Sequence, residues 1–426
     1  MLLRFKFSNY GSFRVEQELS LVAGSLNDRR ESVFQAPGLK DGVLPMAAIY
    51  GANASGKTTV LRALEFMGNA VRDSHRLWEP GQQIPVEPFA GEADGLPTTF
   101  MVDSVFAGIR HQYGFAINSD GVLQEWLHVY PKGKKQTWFS RKGGPISFGE
   151  KLIGDNRVIE QLTRKNSLFL SAAAQNNHEM LLPVYNWFRN SLKLFVGGRG
   201  LDTAQTINMC EDPDALGIIT RLLRVADLGI ADLRVTVSRL GEGREQVAKL
   251  SEETRPNSGH LVRFLEEPII SLSLRHRING RLMSFGLEYE SAGTLAYLAL
   301  LGPIVYALQQ GGVICVDELD SSLHPLIAIE IMRLFESRSQ NPRGAQLIFN
   351  THDTNLLNTG MLRRDQIWFT EKDVKGESHL YPLTDFKPRR QENLESGYLQ
   401  GRYGAIPFLN SHEFVTSLAQ GDGETK

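Results

Sequence analysis

The stretch Met46-Ala47-Ala48-Ile49-Tyr50-Gly51-Ala52-Asn53-Ala54-Ser55-Gly56-Lys57-Thr58-Thr59 begins as an apolar run, turns on glycine, and opens into helical spacing from Thr58 to Phe66. Gly51 to Thr58 matches the GxxxxGK[ST] pattern, and each residue type in it has a physical task. The glycines let backbone N–H groups turn inward around phosphate oxygens, Lys57 supplies the neutralising charge, and the Thr58 hydroxyl can ligate Mg²⁺. A buried strand before the turn and a helix after it are the setting such a loop requires. Gly51, Asn53, Ser55, Gly56, Lys57, Thr58 and Thr59 are therefore the candidate contacts for ATP, with Mg²⁺ on Thr58.

The rest of the chain sets the frame for this site. Its 426 residues carry 42% hydrophobic and 22% charged side chains, enough for a large core in about two domains. Lysine and arginine number 46 against 48 aspartates and glutamates, a net charge of −2 that gives no global reason to expect a nucleic-acid-coating or membrane-surface protein. Anion binding must then be local. Cys210 and Cys315, far apart in sequence, read as packing thiols in a reducing, cytoplasmic setting. Met1 to Phe7 alternates apolar and basic residues like a first strand, without a signal-peptide core. The longest apolar run, Leu295 to Leu308, is broken by Gly302-Pro303 and is shorter than the ~18 residues that span a bilayer, so no membrane partner is expected.

Periodicity divides the chain into three parts. Residues 1–150 read as strands at Leu2–Phe7 and Glu18–Val22, the phosphate loop, and an antiparallel lobe over Phe100–Phe106, His111–Ile117 and Val122–Tyr130, with a turn at Asn118–Gly121. Residues 151–280 read as a helical or mixed insertion, a lid. Helical spacing covers Arg157–Leu162, Leu168–Ala174, Met180–Leu194 and Asp214–Leu228, and strands follow at Leu233–Leu240, Leu261–Leu265 and Ile269–Leu274. Residues 281–426 hold the remaining motifs and end in a polar tail, Gly421–Lys426.

Three of those motifs bear on hydrolysis. Gly312-Val313-Ile314-Cys315-Val316 is an apolar strand ending in Asp317-Glu318. Beside a phosphate loop, Asp317 can hold Mg²⁺ and Glu318 can activate water. Ser291-Ala292-Gly293-Thr294 opens a helix; it serves either as a cap or as a second anion-binding terminus. Gln346 to Asn350 is another apolar strand ending in polar residues, with His352 placed either structurally or to reach a γ-phosphate.

The order phosphate loop, Ser291-Ala292-Gly293-Thr294, Asp317-Glu318, His352 resembles the ABC-type ATPase head, an α/β P-loop NTPase. The resemblance implies that Ser291 and Gly293 belong to the signature loop, Ser321-Ser322-Leu323-His324 to the D-loop, and His352 to the switch histidine. It also implies a homodimer or higher homo-oligomer in which the signature of one copy closes over ATP held by another. Glu290-Ser291-Ala292-Gly293-Thr294 departs from the transporter signature Leu-Ser-Gly-Gly-Gln. Gln82, Gln83 and Gln124 are available as a Q-loop glutamine, and none is assigned. With Asn9-Tyr10-Gly11-Ser12-Phe13, Leu323-His324-Pro325 and Thr351-His352-Asp353, the chain looks like the SMC/RecF/OLD-like branch, and more closely like RloA-like ATPases found beside restriction and phage-defence genes.

In that likeness Ser396-Gly397-Tyr398-Leu399-Gln400-Gly401-Arg402-Tyr403-Gly404-Ala405-Ile406-Pro407-Phe408-Leu409 recurs, either as a chain-end packing motif or as a contact with a neighbouring subunit. After His352 too little chain remains for an OLD-type TOPRIM nuclease, so the resemblance implies a separate effector partner, nuclease-like and encoded nearby. Arg255-Pro256-Asn257-Ser258-Gly259-His260 has the R-x4-H spacing of HEPN ribonucleases, but Pro256 and Gly259 break the helix that motif needs. Lys132, Lys134, Lys135, Arg141 and Lys142, interleaved with Trp138 and Phe139, form either a nucleic-acid surface or a solvated hairpin tip. A RecF-like DNA-repair ATPase, a nucleotide-dependent scaffold with little turnover and a transporter subunit are the competing functions.

Overall fold

The computed structural model describes residues 1–90, 95–195, 203–226, 229–238, 269–321 and 323–407. The expectations placed on Arg255–His260, Leu261–Leu265, Ser322, Phe408–Leu409 and Gly421–Lys426 lie outside the described residues.

Two sheets share the first core. The antiparallel one takes β1 (Leu2–Ser8), β2 (Gln17–Ser20), β4 (Thr98–Phe106), β5 (Ile109–Asn118), β6 (Gly121–Tyr130), β7 (Gln136–Lys142) and β8 (Ile146–Phe148) in the order β2-β1-β4-β5-β6-β7-β8. The other holds β3 (Met46–Gly51), β9 (Leu192–Phe195), β13 (Val313–Val316), β14 (Gln346–Asn350), β15 (Ile367–Lys372) and β16 (Ser378–Pro382) in the order β16-β15-β3-β14-β13-β9. Only β16 runs antiparallel. Every residue of β3, β13 and β14 is buried, as expected of parallel strands covered on both faces. The nonconsecutive order puts β14 between β3 and β13, so three strand ends widely separated in sequence open at one edge.

Helices cover that sheet. The one after the phosphate loop runs Lys57–Asp73, longer than the Thr58–Phe66 expected, and turns Val60, Leu61, Leu64, Met67 and Val71 inward. A second core on the opposite face is built around the helix Ala292–Gln310 and the helix Pro325–Glu336. Ala292–Gln310 is one helix that continues through Gly302-Pro303. Pro303 has no N–H for the Ala299 carbonyl, and the Thr206 hydroxyl takes over by donating to Leu298 O at 2.8 Å and Ala299 O at 3.4 Å. Gly302 permits this approach, because a Cβ there would lie 2.6 Å from Thr206. The helix is long and apolar enough to cross a membrane by length and composition alone, and most of its residues are buried in this core.

The insertion departs from expectation in two places. Met180–Leu194 is not one helix: a short helix Leu182–Asn186 passes into a π-turn Trp187–Ser191 and then into β9, which joins the central sheet beside β13. The helical spacing of the apolar residues hid a strand whose pairing partner lies in distant sequence. β11 (Ile269–Ile278) pairs with β10 (Ile230–Ser238) on one side and β12 (Arg281–Gly286) on the other, so this three-stranded sheet runs across residue 280. β12 has no buried residue and therefore no alternation to betray it.

Glu125 joins the lobe to the insertion. Fully buried on β6, it accepts from Tyr113 OH at 2.9 Å and from the first N–H groups of the helix Phe169–Gln175, Phe169 N at 2.7 Å and Leu170 N at 3.0 Å. Burial pushes its carboxyl above the usual range, and the N–H and hydroxyl donors oppose the shift.

Candidate functional site

The phosphate loop is shaped by what surrounds it. A Cβ on Gly51 would lie 2.4 Å from the Thr370 carbonyl and 2.6 Å from Ser55 Oγ, so only glycine fits between β3 and β15. Gly56 caps the following helix at φ +110°, a conformation that side chains resist, with the Phe13 ring 2.9 Å from its notional Cβ. Ser55 Oγ is fixed by Thr370 Oγ1 at 2.6 Å. Asn53 and Ala54 are exposed at the loop tip, and Thr59 packs its methyl against Gly11. The turn Asn9–Phe13 thus has a physical task as a floor for the loop. Ser378 secures it, donating from its N–H to Ser12 O at 2.7 Å and from its hydroxyl to Ser12 Oγ at 2.8 Å.

Lys57 is buried at 7% exposure, and its ammonium donates to Gly51 O at 2.8 Å and Ala52 O at 3.0 Å. Burial lowers its pKa, opposed by the nearby Glu318, Asp317 and Asp320 carboxylates. Thr58 Oγ1 donates to Asp317 Oδ1 at 2.9 Å. The loop and the end of β13 are therefore in direct contact.

Asn350, fully buried at the end of β14, joins the same cluster: its Nδ2 donates to Asp317 Oδ1 and its Oδ1 accepts from Glu318 N. Glu318 adopts φ +52° and presents an exposed side chain between buried Val316 and Leu319. His352 follows at the exit of β14, its N–H donating to Asp320 Oδ1 and Oδ2 at 3.3 and 3.1 Å. Partial burial and the Lys57 charge lower its imidazole pKa below 6.5, opposed by Asp320, Glu318 and Asp317. Sequence reasoning passed over Asn350 and Asp320; the available signal was that each apolar strand ends on polar residues.

Lys57, Thr58, Asp317, Glu318 and His352 thus gather at one sheet edge. Ser291 and Gly293 stand apart from them. Ser291 caps the helix Ala292–Gln310, its Oγ accepting from Thr294 N at 3.1 Å, and no hydrogen bond among the described residues links either one to the loop. Glu290 accepts from His276 Nε2 at 2.8 Å. Behind the sheet, the C-terminal stretch is packing. Tyr398 and Tyr403 stack on Phe369 at 5.4 and 5.8 Å, Tyr403 OH donates to Glu392 at 2.6 Å, and Gly397 and Gly404 leave room for Tyr403, Glu371 and Tyr381. The basic patch divides. Phe139 is wholly buried, half-buried Trp138 packs against the core, and Arg141 donates to Ser167 O at 3.1 Å; Lys132, Lys134 and Lys135 are exposed in the β6–β7 turn, while Lys142 is exposed at the other end of β7, opposite Gln124.

The donor set fits a magnesium nucleotide. Two glycines hold a cradle that any Cβ would fill, a buried ammonium has only carbonyl partners, and a hydroxyl and a carboxylate converge where a metal would sit.

Comparison with known proteins places the site in a family. No curated protein matches the chain in sequence. Among solved structures it is similar to an SMC head bound to the C-winged helix domain of ScpA, with 11% identity over 89% of this chain and 97% of that one and a TM-score of 0.44. It is also similar to the SMC head domain from Thermotoga maritima, with 13% identity, 89% and 98% coverage and a TM-score of 0.38. A Pyrococcus furiosus Smc head with an extended coiled coil, bound to the C-terminal domain of ScpA, gives 10% identity, 89% and 95% coverage and a TM-score of 0.39. The family model described as "AAA domain, putative AbiEii toxin, Type IV TA system" matches residues 46–358, from the phosphate-loop strand to just past His352. That span is well over half of the chain, and the chain belongs to this family of P-loop AAA domains.

Proposed function

We propose that the protein is an ABC-type, SMC-like ATPase of the RloA-like kind, which hydrolyses ATP between two copies and uses that cycle to control an effector in anti-phage defence. The observation that carries the reading is the convergence of Lys57, Thr58, Asp317 and Glu318, with Thr58 and Asp317 in direct hydrogen bond. Bound Mg²⁺ would neutralise charge on the β- and γ-phosphates. Lys57 supplies a second positive charge at the same place, and Thr58 and Asp317 hold the metal. Glu318, exposed and turned out of the strand, accepts the proton of the attacking water, and His352 contacts the γ-phosphate. Ser291 and Gly293 act on the nucleotide of the partner copy. Among the described residues Ser291 bonds to Thr294 and neither residue bonds to the loop of its own copy, which agrees with a role in trans.

The toxin–antitoxin description of the family supports the defence setting, with the toxic chemistry assigned to a nuclease-like neighbour. Free, buried Cys210 and Cys315 agree with work in the cytoplasm. The test is Glu318→Gln. The variant should bind ATP, stop turnover and accumulate as an ATP-dependent dimer by mass measurement. Hydrolysis at the wild-type rate would remove Glu318 from the mechanism.

A further inference from the structure

We infer that Asn350 is the positioning residue for both hydrolytic carboxylates, holding Asp317 toward Thr58 and Glu318 in its outward turn. The inference rests on the ATPase reading above. Asn350 ends β14, the strand between the phosphate-loop strand and the strand that carries Asp317, and it has no exposure to solvent. Its side chain is used at both atoms: Nδ2 donates to Asp317 Oδ1 while Oδ1 accepts from Glu318 N. Its backbone carbonyl accepts from Leu319 N at 3.1 Å, so one residue grips three consecutive residues of the turn.

The chemistry of the amide is what the position requires. A carboxylate neighbour demands a donor and a backbone N–H demands an acceptor, and the amide of Asn350 offers the two on separate atoms, one to each partner. The two partners also fix its orientation, because a flipped amide would set donor against donor and oxygen against carboxylate. Glu318 needs the support: at φ +52° a non-glycine residue is strained by roughly 1–2 kcal/mol. In that conformation its side chain leaves the row of buried neighbours and becomes exposed. Asp320 completes a reciprocal latch by accepting from His352 N at 3.1 and 3.3 Å. Glu318 and His352 are thereby tied into one unit, joined at both ends across β13 and β14.

The experiment compares wild type, Asn350→Leu and Asn350→Ser. Binding of a fluorescent ATP analogue is measured in EDTA and in Mg²⁺, with turnover and thermal melting alongside. Asn350→Leu keeps the branched shape and removes both side-chain polar contacts. Metal-free binding should stay within about threefold of wild type, while the affinity gained on adding Mg²⁺ and kcat should each fall roughly 10- to 100-fold, the range for residues that orient a metal ligand. Asn350→Ser keeps a smaller group able to make one of the two bonds and should fall between. If Leu cannot be tolerated in the fold, Ser carries the test alone. The inference is overturned if a folded variant keeps both the Mg²⁺-dependent gain and kcat within twofold of wild type. If wild type itself neither gains affinity with Mg²⁺ nor turns over, the ATPase reading fails and the inference goes with it.

Discussion

In the antiparallel lobe Glu125 is sealed from solvent, and both of its oxygens accept bonds from Tyr113, Phe169 and Leu170. At the end of β13 the opposite holds: the backbone of Glu318 is clamped, its side chain is exposed, and no hydrogen bond or ion pair to its carboxylate is found among the described residues. The two glutamates show how the molecule divides its polar groups. In the lobe a polar side chain is consumed by the join it makes, whereas at the parallel sheet edge the joins are made by Asn350 and Asp320 and the carboxylate of Glu318 is left exposed. Exposure therefore distinguishes the candidate catalytic group better than residue type does.

The sharpest way to break this comparison is at the loop. Lys57→Ala should weaken ATP binding by about two orders of magnitude, ~3 kcal/mol, because a buried charge-assisted contact is lost. Its melting temperature should hardly move, since the ammonium bonds only two loop carbonyls. A large loss of stability would show Lys57 to be structural. Glu125→Ala should do the reverse. Three donors lose their acceptor in the core, at a cost of about 3 kcal/mol in denaturant unfolding, while nucleotide affinity stays level. Loss of ATP binding in a folded Glu125→Ala protein would tie the lobe to the site and undo the contrast.

His352 gives a smaller, pH-dependent effect. Its folded-state pKa lies below 6.5, so the unfolded chain binds more protons between the two values. Its contribution to stability is thus present above pH 6.5 and lost as pH falls through the lowered value. An NMR titration of the nucleotide-free protein should show this ring titrating below 6.5, with the signal assigned by His352→Gln; a pKa at or above 6.5 would contradict the placement beside Lys57. Smallest of all, Tyr403→Phe removes one bond to Glu392 and should cost about 1 kcal/mol with no change in ATP binding.

The parts of the site that lie on one continuous pattern were legible. An apolar run meeting a glycine turn gave β3 and its helix, and apolar runs ending in Asp317-Glu318 and Asn350 gave β13 and β14. What escaped was everything decided by a distant partner. β9 carries helical spacing and becomes a strand because β13 offers a free edge. Trp138 and Phe139 look like a base-stacking surface until the lobe's core claims them. The Ser396–Pro407 part of the C-terminal motif has no local logic: Phe369, Glu371 and Tyr381, which explain its glycines and tyrosines, lie on β15 and β16. Ser291 is seen as a cap, a role its own neighbours suffice to specify.

The strand order of the central sheet also has a consequence for how the protein comes into being. Both neighbours of β3, β14 and β15, are made some three hundred residues after it. Until then Met46 to Tyr50, buried in the finished fold, is an apolar strand with two open edges. Such long-range pairing is slow to form and exposed to wrong partners meanwhile. The candidate site, which needs Asp317 and Asn350 beside Lys57, is therefore assembled only after β14 has been made.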